Sequence, residues 1–192
     1  DIGDRWITRE DFQTENAGKL PKHVVFDFTD MSGWTRGSNT MEEPSFAETA
    51  DGPATGQRAL HVAISNLTSY DTFGIDRVNK PFPAGHTLTV FSAKGGPNTS
   101  QLAIEWDERD GSRWIATIPL TPEWRQYVLR PGDFKYWESV PSRGRDSFKP
   151  ENAVGLSVGL AFTHTTAIPS GKHEYWVGPF GTAAMTPGYE QL

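Results

Sequence analysis

Two stretches of this chain interleave large aromatic rings with charged and amide side chains. Trp106, Asp107, Arg109, Arg113 and Trp114 surround the pair Asp110-Gly111, and Gln126 follows on the next apolar run. Phe134, Tyr136, Trp137, Glu138, Arg143, Arg145 and Asp146 fall in the run from Gly132 to Phe148. The combination suits a sugar. A pyranose ring offers a flat C–H face that an indole can cover at little entropic cost. Its rim of hydroxyls needs Asp, Glu, Arg, Asn or Gln to replace the hydrogen bonds made by water. In the first stretch, Glu105 and Asp107 would stand beside Arg113, with Gln126 on the neighbouring strand. Trp106 alternates with Leu102 and Ile104, so it either continues their face into the core or stands at the surface. In the second stretch, Tyr136 and Trp137 are adjacent and cannot both point inward from an extended chain, so one is expected at a rim.

Catalytic chemistry is the weaker alternative. Glu105 and Asp107 are two positions apart, which in a strand places them on one face about 7 Å apart, within the range glycoside hydrolysis uses. Acidic pairs of this kind are common on solvated strands, however, and Arg113 would lower both pKa values. The five histidines show no H-E-x-x-H spacing, and no nucleophile elbow, phosphate loop or dinucleotide fingerprint is present. There are no cysteines, which excludes disulfides, thiolate metal sites and cysteine nucleophiles.

The elements that would position these residues are strands. The 19 Gly and 14 Pro among 192 residues break the chain too often for a helical bundle. From Val24 onward, short runs with two-residue alternation are separated by turn residues. They are Val24–Phe28, Ala59–Ile64, Phe73–Val78, Thr87–Ala93, Leu102–Asp107, Arg113–Ile118, Trp124–Leu129, Val154–Phe162 and His173–Val177. About nine strands at this spacing predict an all-β, antiparallel sandwich. Asp110-Gly111 predicts a hairpin turn. Glu42–Thr49 is expected to hold at most a short helical turn, weakened by Pro44. The nearly bare face Gly155, Ser157, Gly159 and Ala161 would form a trough that a ligand or loop can approach closely. Residues 1–23 read as a linker or the tail of a preceding domain, and residues 24–192 as the sandwich.

Charge and hydropathy narrow the partners. The net charge is −6, and no Lys/Arg cluster offers a phosphate-neutralising stripe, which argues against nucleic acid. No apolar run approaches the ~18 residues of a membrane span. The chain opens at Asp1 without a signal-peptide pattern and reads as a processed or excised piece.

Three stretches together resemble carbohydrate-binding modules with the galactose-binding-domain-like jelly roll. Phe26-Asp27-Phe28-Thr29-Asp30-Met31-Ser32-Gly33-Trp34 resembles their opening strand. Ile118-Pro119-Leu120-Thr121-Pro122-Glu123-Trp124-Arg125-Gln126-Tyr127, followed by Phe134, is similar to their middle segment. Phe148-Lys149-Pro150-Glu151-Asn152-Ala153, running through Phe162 and closing at Gly171–Gly178, looks like their last two strands. The resemblance implies a secreted or cell-surface, monomeric, non-catalytic module that holds an attached polysaccharide-active enzyme on its glycan. On this reading the binding residues are Trp137, Tyr136, Arg143 and Arg145 in the loop, with Trp106, Asp107, Arg113 and Gln126 on the sheet. Such modules often hold a structural calcium, to which Asp27, Asp30 and Glu48 would contribute. Gly178 stands where they commonly have Asp, which weakens a cage that wants six to eight oxygens. No cofactor is required. The alternatives are a jelly-roll spacer packed on a catalytic domain and, less favoured, a glycoside hydrolase using Glu105 and Asp107.

Overall fold

Period-two alternation of apolar and polar residues leaves each strand with one face to bury, and two sheets laid face to face are the solution this chain adopts. A computed structural model describes residues 22–42, 45–137 and 147–185. The strands, in chain order, are β1 (His23–Phe26), β2 (Thr35–Ser38), β3 (Ser45–Asp51), β4 (Arg58–Leu67), β5 (Tyr70–Ile75), β6 (His86–Gly95) and β7 (Gln101–Glu108). They continue as β8 (Arg113–Pro119), β9 (Arg125–Leu129), β10 (Lys135–Tyr136), β11 (Ala153–Ala161), β12 (Gly171–Val177) and β13 (Phe180–Ala184).

One sheet has six strands in the order β10-β8-β7-β11-β5-β2, all antiparallel. The other has seven, in the order β1-β13-β6-β12-β4-β3, with β9 on the free side of β6. The long β6 pairs along one edge with β13 near its start and with β12 near its end. The result is the antiparallel β-sandwich expected from the strand pattern, with the jelly-roll fold that the resemblance implied.

Trp106, Trp114, Phe91, Phe180, Tyr175 and the Leu/Ile/Val alternation of β4, β7 and β11 fill the space between the sheets. The expected hairpin forms at β7–β8, with Gly111 at φ +82° and Trp106 opposite Trp114. The helical turn expected at Glu42–Thr49 is corrected: residues 45–51 form β3, paired with β4 through Thr49↔Leu60. The Val24–Phe28 strand stops at Phe26, because Phe28 takes a positive φ of 60° and turns inward, where it is buried. Beyond the nine expected strands, β2, β3 and β10 are added at sheet edges and β13 next to one.

Candidate functional site

The outer face of the six-stranded sheet carries an open groove of about 400 Å³, within the size range of ligand pockets. Its floor follows from side-chain size and strand parity. Leu156, Val158 and Leu160 of β11 point into the core, so Ser157, Gly159 and Ala161 face outward and leave almost no relief. A side chain at Gly159 would come within 2.5 Å of the Asp71 carbonyl and 2.6 Å of Thr72 Cα, so close approach of β5 requires the glycine. Ala103 and Glu105 of β7, Arg113 and Ile115 of β8, and Tyr70 and Thr72 of β5 complete the floor.

Aromatic rings stand at the groove's borders. β10 pairs with β8 through Tyr136↔Trp114, and the Trp137 N–H donates to the Arg113 carbonyl at 2.9 Å. Successive residues of this edge therefore face opposite ways, as the adjacency of the two rings predicted. Tyr136 lies against Trp114 at 5.5 Å and packs on the core, its hydroxyl buried without a hydrogen-bond partner among the described residues. Trp137 lines the groove. Its ring lies 4.6 Å from that of His164, tilted by 60°. The turn after β11 holds His164 there: Thr117 Oγ1 donates to the His164 carbonyl at 2.8 Å, and Thr163 Oγ1 shares a 2.8 Å hydrogen bond with His164 Nδ1. Across the sheet stands Tyr70, 43% exposed. Four strand-to-strand steps of ~4.8 Å separate β10 from β5, so the two rings flank a width of about 19 Å.

The polar centre of the floor is a carboxylate–guanidinium cluster. Arg113 donates from Nε to Glu105 Oε1 at 2.6 Å and from Nη2 to Glu105 Oε2 at 2.9 Å, a bidentate pair. Asp107 stands two residues along β7 on the same face, with its Oδ1 buried without a hydrogen-bond partner among the described residues. Its pKa is pushed up to about 7, first by burial and then by the neighbouring Glu105 carboxylate, while Arg113 pulls it down. Gly155 leaves the space Asp107 occupies: a Cβ there would lie 3.1 Å from Asp107 Oδ2. Burial lowers the pKa of His164.

The raised Asp107 pKa sets a pH dependence of stability. Between about pH 4 and about pH 7 the folded protein keeps a proton that the unfolded chain releases, so stability declines as pH rises through that window. Asp107→Asn removes the titration. The wild-type melting temperature, relative to that of the variant, is expected to fall between about pH 4 and about pH 7 and to level off above that. Thermal melts of both proteins read the difference, and parallel curves would show that Asp107 ionises normally.

The predicted binding residues scatter more than expected. Trp137, Arg113 and Asp107 are gathered on the outer face of the six-stranded sheet. Tyr136 packs on the core behind Trp137. Trp106 is corrected as a surface platform: it is fully buried, with Nε1 donating to Thr89 Oγ1 at 3.1 Å across the sandwich. Gln126 is corrected as a neighbour of the hairpin: it lies on β9 in the seven-stranded sheet, opposite Ser92 of β6. Arg143 and Arg145 lie outside the described residues. Tyr70, His164, Thr72 and Phe162, which the sequence reading passed over, border the groove. The two-carboxylate alternative gains no support from the site: Glu105 is closed on Arg113 by two hydrogen bonds, and Asp107 Oδ1 is buried without a hydrogen-bond partner among the described residues.

The candidate calcium ligands lie apart in their bonding. Asp27 Oδ1 accepts from the Thr29 N–H at 3.0 Å and from its hydroxyl at 2.7 Å. Asp30 does the same for Ser32, at 2.8 and 2.9 Å. Glu48 instead binds His61 Nδ1 at 3.0 Å on the outer face of the seven-stranded sheet. Among the described residues, no group of three His, Asp or Glu side chains converges as a metal site would require. At Gly178 a Cβ would meet the Pro53 ring at 2.9 Å, so an Asp there would displace that ring.

The seven-stranded sheet has aromatic side chains on its outer face as well, but they cover one another. His61, Trp176 and Lys94 are cross-strand neighbours on β4, β12 and β6. The His61 ring stacks on Trp176 at 4.6 Å and 4° between planes, and Lys94 Nζ lies 4.6 Å from the centre of the same indole. Both faces of Trp176 are thus occupied by the protein's own groups. Among the described residues, Tyr70 and Trp137 are not sandwiched in this way.

No family model and no curated protein sequence matches the chain. Its backbone is nevertheless similar to solved structures. A family 11 carbohydrate-binding module from Clostridium thermocellum, in complex with a β-1,3-1,4-mixed-linked tetrasaccharide, superposes with a TM-score of 0.66 at 12% identity over 86% of this chain and 96% of the module. A family 30 carbohydrate-binding module gives 0.58 at 12% identity over 88% and 91%. An exo-β-agarase gives 0.62 at 13% identity over 86% of this chain but 25% of its own length. At these identities the likeness concerns the fold, and the chain has the jelly-roll β-sandwich found in these carbohydrate-binding modules.

Proposed function

We propose that this chain is a non-catalytic polysaccharide-binding module, secreted or displayed at the cell surface, that holds an attached glycan-active enzyme on its substrate. The observation that carries the reading is the groove itself. A floor of small side chains runs between Trp137 and Tyr70, with the Glu105–Arg113 pair at its centre. The rings would cover C–H faces, while the ion pair and the hydroxyls of Ser69, Thr72, Ser157 and Thr163 exchange hydrogen bonds with sugar hydroxyls. Two likenesses support the reading: modules of similar fold bind glycans, one of them with a tetrasaccharide bound, and the agarase contains such a unit as a quarter of its chain.

A groove of this openness, without a deep enclosed pocket, is expected to bind weakly, with a Kd of order 10⁻³ to 10⁻⁵ M. Its action is to raise the effective concentration of the enzyme at a polymer.

Native electrophoresis in gels cast with single polysaccharides tests the proposal, using mixed-linked β-glucan, cellulose derivatives and agarose as the first panel. Retardation in at least one gel is the expected result. A folded sample that migrates freely in every gel points instead to a spacer domain. Gln126→Ala is expected to leave retardation unchanged, because Gln126 belongs to the other sheet; a loss there would place the site on the wrong face.

A further inference from the structure

We propose that the groove accepts uncharged glycans and rejects anionic ones, and that Glu105 sets this selectivity. The inference rests on the groove being a glycan site and adds the substrate class. Among the described residues, Glu105 and Arg113 are the carboxylate and guanidinium that line the groove, and each is engaged with the other. A uronate or sulfate is held by proteins through a guanidinium fork or an ammonium. Here the fork is already closed on a carboxylate, with Nε and Nη2 both donating to Glu105.

Among the described residues, the neighbouring acidic groups add to the rejection. Asp107 stands two residues from Glu105 on the same strand face, and Asp76 lies near enough to raise the Asp107 pKa further, so carboxyl groups gather on this side of the floor. His164 supplies no compensating charge at neutral pH, because its burial favours the neutral imidazole. The net charge of −6 opposes a polyanion from a distance. A neutral sugar meets a different surface. Its hydroxyls can donate to the open lone pairs of Glu105 and accept from the Arg113 N–H groups that Glu105 leaves over.

The test uses matched pairs of polymers: hydroxyethylcellulose with carboxymethylcellulose, methyl-esterified with de-esterified polygalacturonan, and whichever neutral glycan the chain binds with its C6-oxidised form. The wild-type protein is expected to bind the neutral member about tenfold or more tightly than the anionic one. Glu105→Gln preserves the side-chain shape and releases Arg113, and the gap is expected to close or invert. Wild-type binding that is equal, or stronger to the anionic member, overturns the inference while leaving glycan binding in place. Binding to no neutral polymer overturns the groove reading beneath it. A gap that survives in a folded Glu105→Gln protein removes Glu105 from the role. Should that variant not fold, the wild-type gap is measured at low and at high salt. An electrostatic rejection narrows as salt screens it, and a gap indifferent to salt refutes the charge explanation.

Discussion

Trp137→Ala is expected to abolish measurable polysaccharide retention while leaving the melting temperature nearly unchanged. An indole that covers a sugar ring contributes by its apolar area and by its rigid shape, and loss of such an anchor costs about 2 kcal/mol or more, roughly thirtyfold in affinity. For a module whose Kd starts near 10⁻⁴ M, that loss carries binding past the limit of a retention experiment. The fold loses little by comparison. Trp137 follows a two-residue edge strand, its link to β8 is the backbone hydrogen bond to the Arg113 carbonyl, and its ring contact is with His164 on a turn. The backbone bond survives the substitution, and a partly exposed edge residue of this kind costs no more than about 1 kcal/mol. Trp137→Phe is expected to recover part of the retention, because a smaller ring still covers a C–H face. Retention in Trp137→Ala equal to wild type would remove this residue from the site, and a large fall in melting temperature would reassign it to the core.

The difference between what local pattern reveals and what it hides is visible in individual residues. The outward set Ser157, Gly159 and Ala161 follows directly from the inward set Leu156, Val158 and Leu160, so the bare floor of the groove was legible from period two alone. The same rule separates Tyr136 from Trp137. The same alternation sets Trp106 beside Leu102 and Ile104 and left its core and surface orientations open; the structure puts it in the core, as strict period two requires. Gln126 failed for a different reason. Its strand was read correctly, but β9 crosses to the seven-stranded sheet instead of returning beside β8, and strand order is a long-range property that no local window contains. Tyr70 was missed through a boundary. Reading the strand as Phe73–Val78 left out Tyr70 and Thr72, although Asp71, Phe73 and Ile75 already alternate with them along β5. Glu48 was grouped with Asp27 and Asp30 by residue type, whereas the β3–β4 register opposes it to His61.

Trp106→Ala provides the opposite signature to Trp137→Ala, with a large loss of stability and an unchanged site. Trp106 is fully buried, with Phe82 at 5.1 Å and Phe180 at 5.9 Å in edge contacts, and its Nε1 reaches Thr89 Oγ1 on the facing sheet. Removing it opens a cavity at the centre of the sandwich and takes away the donor that satisfies a buried hydroxyl. Large-to-small changes of this kind cost about 3–5 kcal/mol. For a domain of this size each kcal/mol shifts the melting temperature by about 2–4 °C, so a fall of about 6–20 °C is expected. Trp106→Phe refills most of the volume without the hydrogen bond and should fall between the two. Well below its melting temperature, the folded fraction of Trp106→Ala should still be retained by the polymer. Its side chain points away from the groove, while its neighbours Glu105 and Asp107 point outward on the same strand. A Trp106→Ala protein that kept its melting temperature and lost retention would mean that the faces of β7 are reversed. Glu105, Arg113 and the bare strip of β11 would then have to turn inward with it, exchanging places with Leu102, Ile104 and Leu156. The two tryptophan variants, measured for both melting temperature and retention, therefore test one geometric statement: which side of the six-stranded sheet faces the core and which faces the ligand.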